Sequence, residues 1–244
     1  MAKATPESVA RRWAEKLEQA LAPRLQGVVL YGSAARGEHI AGVSDVNLAL
    51  LFDRIDMPLL ERAATVVRGA AADALSVVPF DWDDRQRATD SFGIELLDMQ
   101  DAHETLAGAD PFAGLVVPRA ALRLQAEREL RARVVALDGR LLRSGTPEQT
   151  GALLMAALPA FVTYQRAALR LAGRPVPPRS PDVIDAACAL VGADASGLRA
   201  AEAARRAGRP WPVKLTDAAA GSFRDACRRT AFFVDAIELE GPNP

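Results

Sequence analysis

The chain has 244 residues, of which 50% are hydrophobic and 25% charged, so it can bury a sizeable core and is not a disordered or fibrous protein. Its 30 basic residues nearly balance its 31 acidic ones, which excludes a globally basic nucleic-acid coat protein and requires any polyanion site to be local. Two cysteines are too few for a disulfide framework or a cysteine-rich zinc module.

The first half of the chain alternates helical and extended patterns, as is typical of mixed α/β structure. It opens on a charged stretch without an apolar leader, followed by a helix predicted from Thr5-Pro6 to about residue 22. Strands are predicted at residues 28–31, 46–52, 76–80 and 94–99. A second helix is predicted over residues 58–75, and a polar loop or short helix over 81–90. These elements make one small sheet domain with flanking helices.

The second half is predicted to be an all-α antiparallel helical bundle. Helices are expected at residues 120–142, 147–171, from Ser180 onward, 195–207 and 217–239. The longest apolar run, residues 151–162, is shorter than the roughly 20 residues that span a bilayer and contains Pro159. We therefore expect no membrane span, a cytoplasmic protein, and two domains at residues 1–115 and 116–244.

The two halves carry opposite charge. Residues 1–110 contain 11 basic and 18 acidic side chains, and the remaining residues contain 19 and 13. A basic half facing an acidic half would steer an anionic substrate, whereas complementary packing between domains explains the same imbalance without a ligand. Charged helix faces are usually just solvated, which favours the second explanation.

The candidate chemistry lies between the first two strands. Gly32 lets a phosphate approach the backbone, and Ser33, at the start of a short helix, offers its hydroxyl and free N–H groups. Asp45 and Asn47 lie two residues apart on the next strand and therefore share one face. Their oxygens are ligands of the type that Mg²⁺ binds. The spacing predicts a nucleotide phosphate site beside a metal site.

This segment resembles the polymerase-beta-like nucleotidyltransferase superfamily, whose signature is Gly-Ser, a short helix ending in Arg-Gly, and Asp-x-Asp on the following strand. Gly32, Ser33, Arg36, Gly37 and Asp45 match that signature. The helical half resembles the C-terminal domain of kanamycin-type nucleotidyltransferases in architecture only. The resemblance implies a nucleoside triphosphate bound between the two domains, with two metal ions bridging three carboxylates.

The chain departs from the superfamily pattern at Asn47, which replaces the second aspartate. The third carboxylate would be Glu95 on the fourth predicted strand, because Asp98, three residues later, faces the other side of an ideal strand; a bulge in that strand would reverse the choice. Asp45, Asn47 and Glu95 are then the metal ligands. We expect one of the two metals to bind weakly or not at all, while the phosphate contact at Gly32–Ser33 and a single Mg²⁺ remain. Alternatively, Asn47 is a hydrogen-bonded polar residue in a cleft that no longer binds metal.

Two other polar residues of the segment have alternative roles. Arg36 contacts a phosphate, or it braces the turn by pairing with Glu38 or Asp45. Ser44 can cap the entry to the strand by bonding nearby backbone.

The resemblance leads to two functional hypotheses. In the first, the protein binds a nucleoside triphosphate with Mg²⁺, or Mn²⁺ in its place, and transfers a nucleoside monophosphate to a hydroxyl acceptor. Gly32, Ser33 and Arg36 would bind the nucleotide, and Asp45 and Glu95 would be catalytic. In the second, the fold is a catalytically inactive nucleotide-sensing or protein-binding module. Expected partners are a nucleotide, an acceptor or partner protein, and a second copy of the chain in a homodimer, with neither membrane nor nucleic acid.

Overall fold

The structure, a computed structural model, describes residues 5–238 and has the α+β architecture predicted from the sequence. The described residues divide into two compact units. One ends at Asp90 and also includes Glu95–Val117, and the other combines Ser91–Ile94 with the residues from Pro118 onward. We call them the sheet unit and the helical unit.

The sheet unit is built on a mixed sheet of four strands. The strands are β1 (Leu25–Tyr31), β2 (Val46–Phe52), β3 (Leu75–Asp81) and β4 (His103–Gly108). Their order is β3-β2-β1-β4, with β1 antiparallel to β2 and β4, and β2 parallel to β3. The helices are α1 (Pro6–Leu21), α2 (Met57–Val67), α3 (Asp84–Arg87) and α4 (Gly93–Asp101), with 3-10 turns at Arg68–Asp73 and Ala88–Asp90.

Helix α1 begins where its sequence predicts. The Thr5 hydroxyl accepts a hydrogen bond from the Ser8 N–H at 3.2 Å, and Pro6 occupies the first turn, where its missing N–H costs nothing. The predicted apolar stripe is buried and packs on one face of the sheet together with α2. Its members are Val9, Trp13, Leu17 and Leu21. The core of this unit therefore lies between that face and the two helices.

The predicted fourth strand is wrong. Residues 94–99 lie in helix α4, and the fourth strand is β4, which begins at His103. A short apolar run fits a buried helix as well as a buried strand, so periodicity could not distinguish them. The predicted second helix is also too long, because it gives way to a 3-10 turn at Arg68.

The helical unit forms the predicted bundle. Its helices are α5 (Arg119–Leu141), α6 (Pro147–Leu171), α7 (Ser180–Val191), α8 (Ser196–Arg206) and α9 (Ala218–Asp235). The last helix was predicted to reach residue 239, which lies outside the described residues, but α9 ends at Asp235. Backbones approach closely where glycine allows it, since a Cβ at Gly197 of α8 would lie 2.1 Å from the Ala219 carbonyl oxygen.

Pro159 lies inside α6, and the helix continues through it over its 25 residues. Among the described helices, α6 alone is long and apolar enough to cross a membrane. Its most apolar stretch of 18 residues has a mean hydropathy of 1.3, and 56% of that stretch is buried inside the protein, as is typical of a core helix.

Candidate functional site

The Gly32–Ser33 turn directly follows β1. Gly32 has a φ of +76°, a left-handed conformation that glycine adopts without strain. Its Cα lies against the side chain of Asn47, since a Cβ added at Gly32 would be 3.1 Å from Asn47 Nδ2. The structure therefore brings Gly32 and Asn47 together, as the sequence pattern predicted.

The predicted short helix is a single helical turn that ends at Gly37. The Glu38 N–H donates to the Ser33 carbonyl at 2.8 Å, and the Gly37 N–H donates to the Ala34 carbonyl at 3.1 Å. Together with the φ of +68° at Gly37, these bonds form a Schellman motif. The Arg-Gly pair of the sequence signature is thus the end of this turn.

The entry to β2 carries the two candidate metal ligands. The Ser44 hydroxyl accepts a hydrogen bond from the Ile40 N–H at 3.2 Å, which matches the predicted capping role. Asp45 follows as an exposed residue, and within residues 5–238 it makes no ion pair or hydrogen bond through its carboxylate. Asn47 is half-buried, and its amide likewise makes no hydrogen bond to the described protein.

Arg36 braces the turn, but with a partner that the sequence analysis did not consider for it. Its Nη2 lies 2.7 Å from Asp98 Oδ1 and donates to the Asp98 carbonyl oxygen at 2.6 Å. The Arg36 side chain is only 7% exposed. The guanidinium thus ties the turn to α4, and neither Glu38 nor Asp45 is the partner found.

Glu95 is half-buried in the first turn of α4 and does not lie on a strand. Its predicted place beside Asp45 and Asn47 depended on a strand at residues 94–99, and the structure has helix α4 there instead. Asp98, which the strand geometry had argued against, is the α4 carboxylate linked to the turn through Arg36.

One row of facing residues crosses all four strands at the end of the sheet that carries the turn. Tyr31 of β1 is opposite both Asn47 of β2 and His103 of β4, and Asn47 is opposite Ser76 of β3. Facing residues place their side chains on the same face of a sheet. Each of these four residues is half-buried, and we call them the polar row. Sequence alone missed Tyr31, Ser76 and His103 as a group, because strand register is needed to align them.

The surroundings of two members of the polar row are defined by nearby groups. Burial, and then the negative charge of Asp98, raise the pKa of Tyr31 to about 12, so its hydroxyl stays protonated. The ring nitrogens of His103 lie 3.2 Å from the Gln100 carbonyl oxygen and 3.2 Å from Asp110 Oδ1. The histidine is therefore already held by protein acceptors on both sides.

The donor set does not fit a two-metal centre. A hard cation such as Mg²⁺ needs several oxygen ligands, usually with more than one carboxylate for a bare protein site. Here Asp45 is the one carboxylate at the entry to β2, Asn47 supplies an amide, and Asn47 faces the hydroxyl-bearing residues Tyr31 and Ser76. Over residues 5–238, no group of three or more His, Cys, Asp or Glu side chains is arranged to hold a metal.

The chain matches no protein-family model, and no curated protein is significantly similar to it.

Proposed function

We propose that the sheet unit binds a nucleoside triphosphate at the Gly32–Ser33 turn. The observation that carries this proposal is the contact of Gly32 with Asn47 at the end of β1. Because of this contact, a positive-φ glycine, a serine hydroxyl and the Asp45–Asn47 pair lie together at one end of the same sheet. The Schellman motif at Gly37 supports the same assignment, because it holds the turn in one conformation after the glycine.

In the catalytic form of this proposal, an acceptor hydroxyl attacks the α-phosphorus of the nucleotide. The new O–P bond forms as the bond to pyrophosphate breaks, and the hydroxyl proton passes to a nearby carboxylate or to water. Ser33 would hydrogen-bond the phosphates, and exposed Asp45 is the carboxylate closest in sequence to the β2 entry.

A second candidate function is nucleotide sensing without catalysis. Asn47 in place of an acid favours it, because the amide removes one negative charge that would bind metal beside the turn. The two functions share a ligand and differ in whether pyrophosphate is released.

Calorimetric titration with ATP and with GTP tests the proposal, using the full chain with and without Mg²⁺. Binding that Ser33→Ala weakens by about tenfold supports the site at the turn. Pyrophosphate release with a pool of hydroxyl acceptors, lost in Asp45→Ala and kept in the matched surface variant Asp84→Ala, supports catalysis. Binding without release supports the sensor, and a chain that binds neither nucleotide refutes both functions.

A further inference from the structure

The polar row differs chemically from a metal-binding edge. It contains a hydroxyl, an amide, a phenol and an imidazole, and no carboxylate. The phenol of Tyr31 stays protonated, and the imidazole of His103 is held by Gln100 and Asp110. The row therefore contributes no carboxylate for a cation to bind.

Asn47 is the member of the row whose side chain contacts Gly32 across the strands, and its nitrogen end faces that glycine. The NH₂ end of an amide donates hydrogen bonds, and only the carbonyl oxygen of an amide can ligate a cation. At the Gly32 turn it is the NH₂ end that lies nearest, since Asn47 Oδ1 is more than 4 Å from the position of a Gly32 Cβ. Because the amide makes no hydrogen bond within residues 5–238, both of its N–H groups remain for a ligand. Ser76, its neighbour on β3, also makes no side-chain hydrogen bond in that range.

We infer that Asn47 is a hydrogen-bond donor to the phosphates of the ligand, and that the Asp45–Asn47 edge does not retain a divalent cation. This inference rests on the proposed nucleotide binding and adds to it that binding does not require metal. Arg36 does not take the place of the metal, because its guanidinium is committed to Asp98. The charged phosphate oxygens then accept hydrogen bonds from neutral donors, namely the Asn47 amide, the Ser33 hydroxyl and the backbone N–H groups of the turn.

Two titrations of the full chain test the inference. The first measures Mn²⁺ alone by electron paramagnetic resonance, for the wild type and for Asn47→Asp. We expect no retained Mn²⁺ in the wild type and measurable retention in Asn47→Asp, where a second carboxylate joins Asp45 on the same strand face. Retention of Mn²⁺ by the wild type at a stoichiometry of one or more overturns the inference.

The second titration measures ATP in EDTA and in excess Mg²⁺. We expect wild-type affinities that agree within about threefold in the two buffers, and a loss of about tenfold in EDTA for Asn47→Ala. Ser76→Ala is the companion variant in the row, and thermal unfolding of each variant checks that it folds. A tenfold weaker wild-type affinity in EDTA, or an unchanged affinity in folded Asn47→Ala, overturns the inference. Absence of ATP binding in both buffers instead refutes the proposed function, and the inference falls with it.

Discussion

The guanidinium of Arg36 and the carboxylate of Asp98 join two elements 62 residues apart in the chain, with Nη2 2.7 Å from Oδ1. The arginine side chain is 7% exposed and the aspartate side chain 20%, so solvent screens this pair little. The pair links the Gly32–Ser33 turn to α4. It is therefore a structural support of the candidate site.

Replacing Arg36 by alanine should destabilise the protein by about 1.5–3 kcal/mol, because a charge-assisted contact with a largely buried carboxylate is removed. Chemical denaturation measures the free energy of unfolding. Arg128→Ala is the matched control, since its side chain is 79% exposed and lies 3.6 Å from Glu129, so a change of less than about 0.5 kcal/mol is expected. Equal losses in the two variants would show that the Arg36 pair contributes nothing special.

Replacing Gly32 by alanine should cost more than the same change at Gly42. Both glycines have nearly the same positive φ, +76° and +77°, so each alanine incurs about 1–2 kcal/mol of backbone strain. A Cβ at Gly32 also lies 3.1 Å from Asn47 Nδ2, whereas a Cβ at Gly42 meets no atom within 4 Å. We expect about 1 kcal/mol of further loss at Gly32 from this crowding.

The double variant Gly32→Ala/Asn47→Ala isolates the crowding. In the double variant the loss of stability caused by crowding should disappear, because the alanine at position 47 leaves room for the new Cβ. Denaturant unfolding of the two single variants and the double variant gives this effect as the coupling free energy of a double-mutant cycle. A coupling free energy of zero would mean that the Asn47 side chain moves aside without cost.

Tyr31 should titrate near pH 12, above the usual value of 10, because burial disfavours the phenolate. The chain has two tyrosines, so Tyr164→Phe leaves Tyr31 as the single reporter in an ultraviolet absorbance titration. Because the folded state holds the phenolic proton more tightly than the unfolded state, the free energy of unfolding keeps its full value below pH 10. It falls as pH rises from 10 towards 12. In the same background, Asp98→Asn should lower the pKa, and an ordinary midpoint near 10 would contradict the burial of Tyr31.

Replacing Gly197 by alanine should destabilise the helical unit by at least about 2 kcal/mol, because its Cβ would overlap the α9 backbone at Ala219 and Phe223. Gly221→Ala is the control within α9, where a Cβ meets no atom within 4 Å. That change should stabilise the helix by about 0.5–1 kcal/mol, because alanine loses less backbone entropy than glycine. Thermal unfolding followed by circular dichroism measures both effects, and a harmless Gly197→Ala would contradict the close approach of α8 and α9.

The elements with local signals could be predicted from the sequence, and those that depend on tertiary contacts could not. The Thr5-Pro6 pair located the start of α1, and the apolar run of β2 located that strand. The run at residues 94–99 has no such local signal, and it became a helix. Glu95 was assigned to the candidate site as a residue of that predicted strand.

Part of the candidate site followed from spacing, because Gly32, Ser33, Asp45 and Asn47 flank a single connection between adjacent strands. The polar row could not be derived in that way, since it combines four strands whose register is set by pairing. The contact of Arg36 with Asp98 could not be predicted either, because α4 was assigned as a strand and its contact with the turn is long-range.

Position 47 of β2 is easy to alter chemically and hard to move. Leu48, Leu50 and Phe52 are buried in the core on one face of the strand, and Asn47 lies on the other face with the buried residues Ala49 and Leu51. Sliding the strand by a single residue would move Leu48, Leu50 and Phe52 out of the core that they form with α1 and α2, so the core anchors Asn47 against translation. Substitution at position 47 exchanges one half-buried side chain for another without disturbing this anchor. New ligand preferences could therefore evolve here by point mutation on an unchanged scaffold.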